Sequence, residues 1–338
     1  MTIINGIEID FIHAPPDETR TAIMNNDPLD TTLHVIAVIS NPCQFARRYI
    51  LAREFMVRME RERNINLYFV ELAYGDQDFH VTDKKNKRHL QLCASVPLWH
   101  KENMINIGVK KLLPSTWKAL AWIDADIEFE STTWALDTLK VLNGYKDLVQ
   151  PFSHCVDMQK NMTAIGIYPS FGFQATKKHP YGGTQHNMWH PGYAWACTRK
   201  AYETMGGLYE LSILGAGDHN MSMSLLGKGQ QSVNEAATDG YKESIEVFQE
   251  GAKNLRLGYV PGVIRHHFHG SKKNRKYMER WHILVDNAYD PFLHITKNKD
   301  GLLIPTKNCP PKILDDIVKY FKERNEDEGY AAEPFSTS

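Results

Sequence analysis

At 338 residues, 42% of them hydrophobic, the chain can build one large α/β domain or two small ones around a real core. Lys plus Arg number 39 against 40 Asp plus Glu, a net charge of −1, which removes the electrostatic case for a nucleic-acid or anionic-membrane partner. Five scattered cysteines without a C-x-x-C pair argue against a disulfide framework or zinc knuckle, and no run is long enough to span a bilayer.

Residues 1–30 are polar, with Pro15, Pro16 and Pro28, and read as a surface extension. Residues 33–39 are a β-branched run halted by Ser40-Asn41-Pro42, which predicts the first core strand. A helix over 45–63, a strand over 67–72, a polar loop over 76–88 and a helix over 103–113 follow. Residues 118–124 predict a third strand, apolar until it ends in Asp124-Ala125-Asp126. Strand and helix in alternation imply a parallel sheet with crossover helices, whose ligands lie beyond the carboxyl ends of the strands. Ser40-Asn41, the Gly75-Asp76 loop and Asp124/Asp126 all fall on that edge. Further on, residues 168–192 carry His179, His186, Trp189 and His190 and read as a long irregular functional loop. Gly217-Asp218 opens a helix through Met221, Leu225 and Leu226, a further helix covers 242–253, and a short strand at 257–260 leads to Val263-Ile264-Arg265-His266-His267-Phe268-His269.

Four groups of residues carry chemistry. Asp124 and Asp126, two apart on a strand, share a face. Two carboxylates held so closely repel unless a cation lies beside them, and hard divalent metals prefer such oxygens together with substrate phosphates. Asp218 is either a helix cap or a general base in a glycine-lined crevice. In a strand His267 points away from His266 while a turn returns His269, so His266 and His269 are the candidate ligands; imidazole beside carboxylate suits Mn²⁺ better than Mg²⁺. The run Lys272-Lys273-Asn274-Arg275-Lys276 is either a solvated face or a closure over a diphosphate. Trp195 reads as core, while Trp189, among polar residues and glycines near Tyr193, reads as an exposed platform for a sugar ring.

Taken in order, residues 33–280 resemble a metal-dependent glycosyltransferase of the GT-A fold, nearest to the β-1,4-galactosyltransferase type and related inverting enzymes. Trp99-His100-Lys101-Glu102-Asn103-Met104-Ile105-Asn106-Ile107-Gly108 is similar to their F-N-R-A-x-x-L-N-V-G helix, with Lys101 in the basic, nucleotide-contacting place. Asp124-Ala125-Asp126 takes the D-x-D, Met205-Gly206-Gly207-Leu208-Tyr209 the N-G-F turn, and Val263-Ile264-Arg265-His266 the M-I-R-H whose histidine is a metal ligand. Two motifs depart. W-G-x-E-D is here Leu214-Gly215-Ala216-Gly217-Asp218, without the aromatic and the acceptor-binding Glu, and Ser40-Asn41-Pro42-Cys43 replaces an arginine-bearing motif.

The resemblance implies a mixed, mainly parallel sheet flanked by helices, with a nucleotide-sugar site at the strand carboxyl ends. Residues 31–150 would form the nucleotide-sugar-binding half, 151–300 the acceptor-binding and catalytic half, and 301–338 a C-terminal helix and an acidic tail that frays after Asn325. It also implies transfer of a sugar from a UDP-linked nucleotide sugar to a glycan or glycoprotein hydroxyl, with inversion. Asp218 would be the base, and Asp126 and His266, with Asp124 and His269, would hold Mn²⁺ or Mg²⁺. Lys101, Asp124, Asp76 and Ser40 would meet the nucleotide, and Trp189 and Tyr193 the acceptor. Without the membrane anchor of the Golgi enzymes, a soluble cytoplasmic protein of a bacterium or virus is expected. Two alternatives stand beside this. A haloacid-dehalogenase-like phosphatase also places a D-x-D after an apolar strand, but with Thr or Val where Ile127-Glu128 stands here. A non-catalytic carbohydrate-binding protein on a transferase scaffold would account for the missing Glu.

Overall fold

The computed structural model describes residues 3–4, 7–8, 31–143, 146–182 and 188–329. A short hairpin pairs β1 (Ile3–Ile4) with β2 (Ile7–Glu8); the rest of the expected extension, His186 and the acidic stretch after 329 lie outside the described residues. The first half then alternates as its pattern predicts: β3 (Leu33–Ser40), α1 (Ala46–Met59), β4 (Ile65–Tyr74), β5 (His89–Ala94), α2 (Lys101–Leu112) and β6 (Ala119–Ile123). Only β5 has no counterpart in the sequence reading; its His-Leu-Gln-Leu-Cys-Ala mixes polar and apolar residues too briefly to stand out.

The second half adds β7 (Ile127–Phe129), α3 (Trp134–Leu142), β8 (Leu148–Gln150), β9 (His154–Met158), β10 (Ala164–Pro169), α4 (Phe171–Thr176), β11 (Ala194–Thr198), α5 (Arg199–Met205), α6 (Gly217–Leu225) and α7 (Asp239–Ala252). It closes with β12 (Leu257–Tyr259), β13 (Val263–His266), α8 (Trp281–Asp286), α9 (Pro291–His294), β14 (Ile295–Lys297), β15 (Leu303–Pro305) and α10 (Pro311–Glu323). The large sheet runs β12-β8-β11-β6-β3-β4-β5, and within it β11 alone opposes its neighbours. A second sheet, β10-β9-β13-β7, follows from the carboxyl end of β6. The architecture is therefore α/β, a mixed and mainly parallel sheet flanked by helices, as predicted. None of the described helices is long and apolar enough to cross a membrane.

Burial explains why β3 reads as an unbroken apolar run. Leu33, Val35, Ala37 and Ile39 join one core cluster and Ile36 the other, so both faces of the sheet are covered and alternation disappears. Helix α2 is pressed onto this sheet through Gly108, where a Cβ would come within 3.0 Å of Val70. Asn106 fixes the same helix to the turn after α5: its amide donates to the Leu208 carbonyl (2.9 Å), and its oxygen accepts from the Leu208 N–H (2.8 Å). The Asn-Ile-Gly stretch thus sets where the start of α2, with Lys101 and Glu102, meets the sheet edge.

Two expectations about irregular segments need correction. Residues 168–192 are not one loop. Ser170 caps α4 by accepting from the Phe173 N–H at 3.1 Å, a local serine signal hidden among glycines and aromatics. The tail does not fray at Asn325 either. Asp327 accepts from the N–H groups of Ala46 (2.9 Å) and Arg47 (2.8 Å), and so caps α1, whose own N-cap residue, Phe45, supplies no side-chain acceptor.

Candidate active site

Asp124-Ala125-Asp126 is the short passage between β6 of the large sheet and β7 of the small one. Its backbone is pinned at both ends: the Asp124 N–H donates to the Tyr193 carbonyl (2.7 Å) and the His267 N–H to the Asp126 carbonyl (2.8 Å). Pinning turns the two carboxylates to different partners within one cleft of about 1070 Å³, its open mouth included.

Asp126 faces the histidines. Its Oδ2 lies 2.9 Å from Nε2 of His269 and its Oδ1 3.9 Å from Nε2 of His266, while the two Nε2 atoms are 3.3 Å apart. Each imidazole is held from behind by a buried carboxylate. His266 ends β13 in register with Asp157 on β9, and its Nδ1 meets Asp157 at 2.9 Å; Nδ1 of His269 meets Glu326 at 3.3 Å. A proton on each Nδ1, donated to these carboxylates, would leave the Nε2 lone pairs free on the side of Asp126, the outer arrangement of metal-ligating histidines. Burial, only partly offset by Asp157, pushes the His266 imidazole toward its neutral, ligating form. Burial opposes ionisation of Asp126, yet His269, His266 and Arg275 hold its carboxyl far below the usual range. Its buried Oδ1 has no hydrogen-bond partner. One oxygen and two nitrogens, all within 4.8 Å of one another, fit one divalent ion.

Glu326 does more than orient His269. It is 2% exposed and accepts from Arg48 (2.8 Å) and Arg324 (2.6 Å); burial opposes its ionisation, but these cations keep it charged well below the ordinary glutamate range. Glu326→Gln leaves two guanidiniums short of a counter-charge and is expected to cost about 3–5 kcal/mol at neutral pH. A depressed carboxyl stabilises the fold only while ionised, so the deficit against wild type should shrink as pH falls below about 4. Urea unfolding of both proteins at neutral and acidic pH measures this.

Asp124 turns instead to Lys101, whose Nζ is 2.5 Å from its Oδ1. Burial works against the Lys101 charge, but Asp124, Asp218 and Glu102 together hold it protonated. Lys101 and Tyr193 are common walls of the cleft and of a smaller recess that contains Glu102, Gly192, Gly217 and Asp218.

In that recess Asp218 stands in the first turn of α6, after Ala216 in the left-handed region (φ 82°). Two glycines leave room around it. A Cβ on Gly192 would lie 2.9 Å from the Asp218 Oδ2, and one on Gly217 would lie 2.5 Å from the carboxyl carbon of Glu102. His190 donates nothing at Nδ1, which accepts from the Gly192 N–H (3.2 Å), and its ring stacks on Tyr193 at 4.1 Å. Burial, then Lys272, pushes the His190 imidazole down to about 3, so it stays neutral.

Burial pushes the Glu102 carboxyl up to about 7, with Lys101 opposing and Asp218 adding. A raised acid costs the fold its ionisation energy, up to about 3 kcal/mol, above the folded value and nothing below the unfolded one. Wild-type stability should therefore decline between about pH 4.5 and 7. Glu102→Gln should remove that decline, which matched denaturation curves at pH 5 and pH 8 would detect.

Of the residues singled out from sequence, Lys101, Asp124, Asp126, His266, His269, Ser40 and Tyr193 line the main cleft, and Asp218 the adjoining recess. Two lie elsewhere than expected. Asp76 lies exposed on the turn after β4, outside the cleft walls. Trp189 is buried, edge-on to Phe171 and Tyr181, with its indole N–H on the Pro180 carbonyl (3.2 Å), and so offers no exposed platform. The basic run divides: Arg275 enters the cleft, Lys272 pairs with Asp157 and lies over the Tyr168 ring, and Lys276 pairs with Glu323. Sequence reasoning missed Arg48, Glu102, Asp157, Arg324 and Glu326. Only Glu102 carried a signal, an acid directly beside Lys101 at a helix start.

No protein-family model matches the sequence, and no curated protein does. Among solved structures the chain is similar to the catalytic domain of Drosophila β-1,4-galactosyltransferase 7 in complex with xylobiose, at 10% identity and a TM-score of 0.33. That match covers 59% of this chain and 62% of the galactosyltransferase chain, so less than two thirds of the latter is spanned. A mutant of the same Drosophila enzyme in complex with manganese, UDP-Gal and xylobiose matches at 12% identity and a TM-score of 0.31, covering 59% of this chain and 62% of that one. The 4-diphosphocytidyl-2C-methyl-D-erythritol synthase of Anaerococcus prevotii matches at 10% identity and a TM-score of 0.32, over 69% of this chain and 87% of that one. Likenesses this distant say nothing of substrate or reaction.

Proposed function

We propose that the protein is a metal-dependent glycosyltransferase that moves a sugar from a nucleotide sugar, UDP-linked, to a hydroxyl of a glycan or glycoprotein, with inversion. The observation that carries this reading is the convergence of Asp126, His266 and His269, each histidine backed by its own carboxylate, at the carboxyl edge of an α/β sheet. Asp126, His266 and His269 would hold Mn²⁺ or Mg²⁺, which when bound neutralises charge on the departing diphosphate.

The chain's own residues divide the remaining work. Lys101, fixed by Asp124, supplies a cation on the wall between cleft and recess, where donor and acceptor would meet. Ser40 and the turn built by Asn41 also line the cleft, which suits the nucleoside end. Asp218 accepts the proton of the attacking hydroxyl from the recess side, opposite the leaving group, and this direction of attack inverts the anomeric carbon. Tyr193, fixed to Asp157 through its hydroxyl (3.0 Å), keeps the two spaces in register.

A thermal-shift screen of nucleotide sugars with and without Mn²⁺, followed by assay of nucleotide release, tests the proposal. A UDP-sugar should raise the melting temperature only with the metal, and EDTA should reverse the rise. Turnover of p-nitrophenyl phosphate, lost in Asp124→Asn and without any response to nucleotide sugars, would establish the phosphatase alternative instead. Glycan binding indifferent to EDTA and to Asp218→Asn would establish the carbohydrate-binding one.

A further inference from the structure

His269 carries one more contact than an imidazole with a single free lone pair can serve alongside a metal. Its Nδ1 is committed to Glu326, and its Nε2 lies 2.7 Å from the Arg275 Nη2 as well as 2.9 Å from the Asp126 Oδ2. A guanidinium only donates and a carboxylate only accepts, so with the proton on Nδ1 the Nε2 lone pair takes the Arg275 N–H and cannot bond Asp126 as well. The same lone pair is the one His269 would give to a divalent ion, and it cannot do both.

Arg275 is built into this position. It ends a single 3₁₀ turn, Lys272–Arg275, its carbonyl accepts from the hydroxyl of buried Tyr320 on α10 (3.0 Å), and its Nη1 donates to Tyr277 (3.3 Å). Asp126 and Glu326 on either side of His269 complete an anionic setting for its charge. The backbone is anchored, and the long side chain ends on the wall of the cleft.

We propose that Arg275 is a resident counter-cation of the Asp126–His266–His269 site, which a divalent metal must displace from Nε2 of His269 in order to bind. The inference rests on the metal site proposed above. It makes Arg275 a positioning residue that sets how tightly the bare metal is held, and it predicts competition rather than support.

Isothermal titration of Mn²⁺ into the nucleotide-free full chain tests it, with wild type and Arg275→Met compared at 0.15 M and 0.5 M NaCl. Displacement predicts that the variant binds Mn²⁺ about tenfold more tightly, within the usual range of coupling between two ligands. The gain should persist at 0.5 M NaCl, where the screening length is about 4 Å, since Arg275 meets Nε2 at 2.7 Å, within that length. A gain that vanishes at 0.5 M NaCl, or an affinity that is unchanged or weaker, overturns the proposal and leaves the metal site standing. Failure of both proteins to bind Mn²⁺ overturns the metal site itself. Circular dichroism verifies folding, and Arg275→Gln replaces the methionine variant if that one does not fold, with the same expectation.

Discussion

In an Asp126→Ala variant, Mn²⁺ affinity is expected to fall by more than about 100-fold, and nucleotide-sugar binding that depends on the metal should disappear with it. The scale follows from the outer residues. Removing a group that only orients a metal-bound histidine typically costs about 10–100-fold, and Asp126 would be a direct ligand and the sole anion of the three. Among the described residues, the neighbouring carboxylates are already engaged elsewhere. Asp157 and Glu326 are engaged behind the histidines by their Nδ1 atoms and by Lys272, Arg48 and Arg324, and Asp124 is paired with Lys101. Isothermal titration with Mn²⁺, and then with UDP at saturating Mn²⁺, measures both losses. Retention of wild-type Mn²⁺ affinity would remove Asp126 from the metal site and, with it, the main support for the proposed reaction.

Asp218→Asn should behave in the opposite way. Here turnover is expected to fall by about 10²–10⁴-fold, the usual contribution of a positioned base, while Mn²⁺ and nucleotide affinities stay near wild type. The separation follows from the layout: Asp218 belongs to the recess beyond Lys101 and Tyr193 and does not line the cleft that holds the histidines. Asparagine preserves the shape against Gly192 and the oxygen that accepts from the His219 N–H (2.8 Å), so the start of α6 should be undisturbed. Steady-state nucleotide release, once a donor is found by thermal shift, gives turnover, and titration with the nucleotide gives binding. Equal losses in both would make Asp218 a structural cap instead of a base.

These two variants also mark how far the sequence could be read. Residues 33–39 and 118–124 were legible as strands because a buried parallel strand is written in consecutive residues. Asp124 and Asp126 were legible because their spacing is local. His266 and His269 needed only a strand that ends in a turn. Asp157 and Glu326 were not legible, since each acquires its role from a partner 109 or 57 residues away, and nothing near either announces it. Composition misled twice. Trp189 sits among polar residues and glycines, yet is buried in the core against Phe171, which a local view cannot see. The acidic stretch after Asn325 has the look of a solvated end, but two cations and a helix start give Glu326 and Asp327 fixed partners. Glu102 was passed over because the glycine that makes room for it, Gly217, lies on another helix.

The anchoring of Glu326 and Asp327 bears on the order in which the protein is made. Most of the sheet, with the Asp126 passage and both histidines, is synthesised before residue 326 emerges, and chains begin to fold from their leading end during synthesis. Until residues 326 and 327 arrive, α1 lacks its cap, Arg48 lacks its anion, and His269 lacks the carboxylate at its Nδ1. A nascent chain can therefore hold its sheet without holding a finished site. Such distant pairings close late, since the loop entropy they cost is large. Chemical competence waits for residues 326 and 327, well after the scaffold has formed.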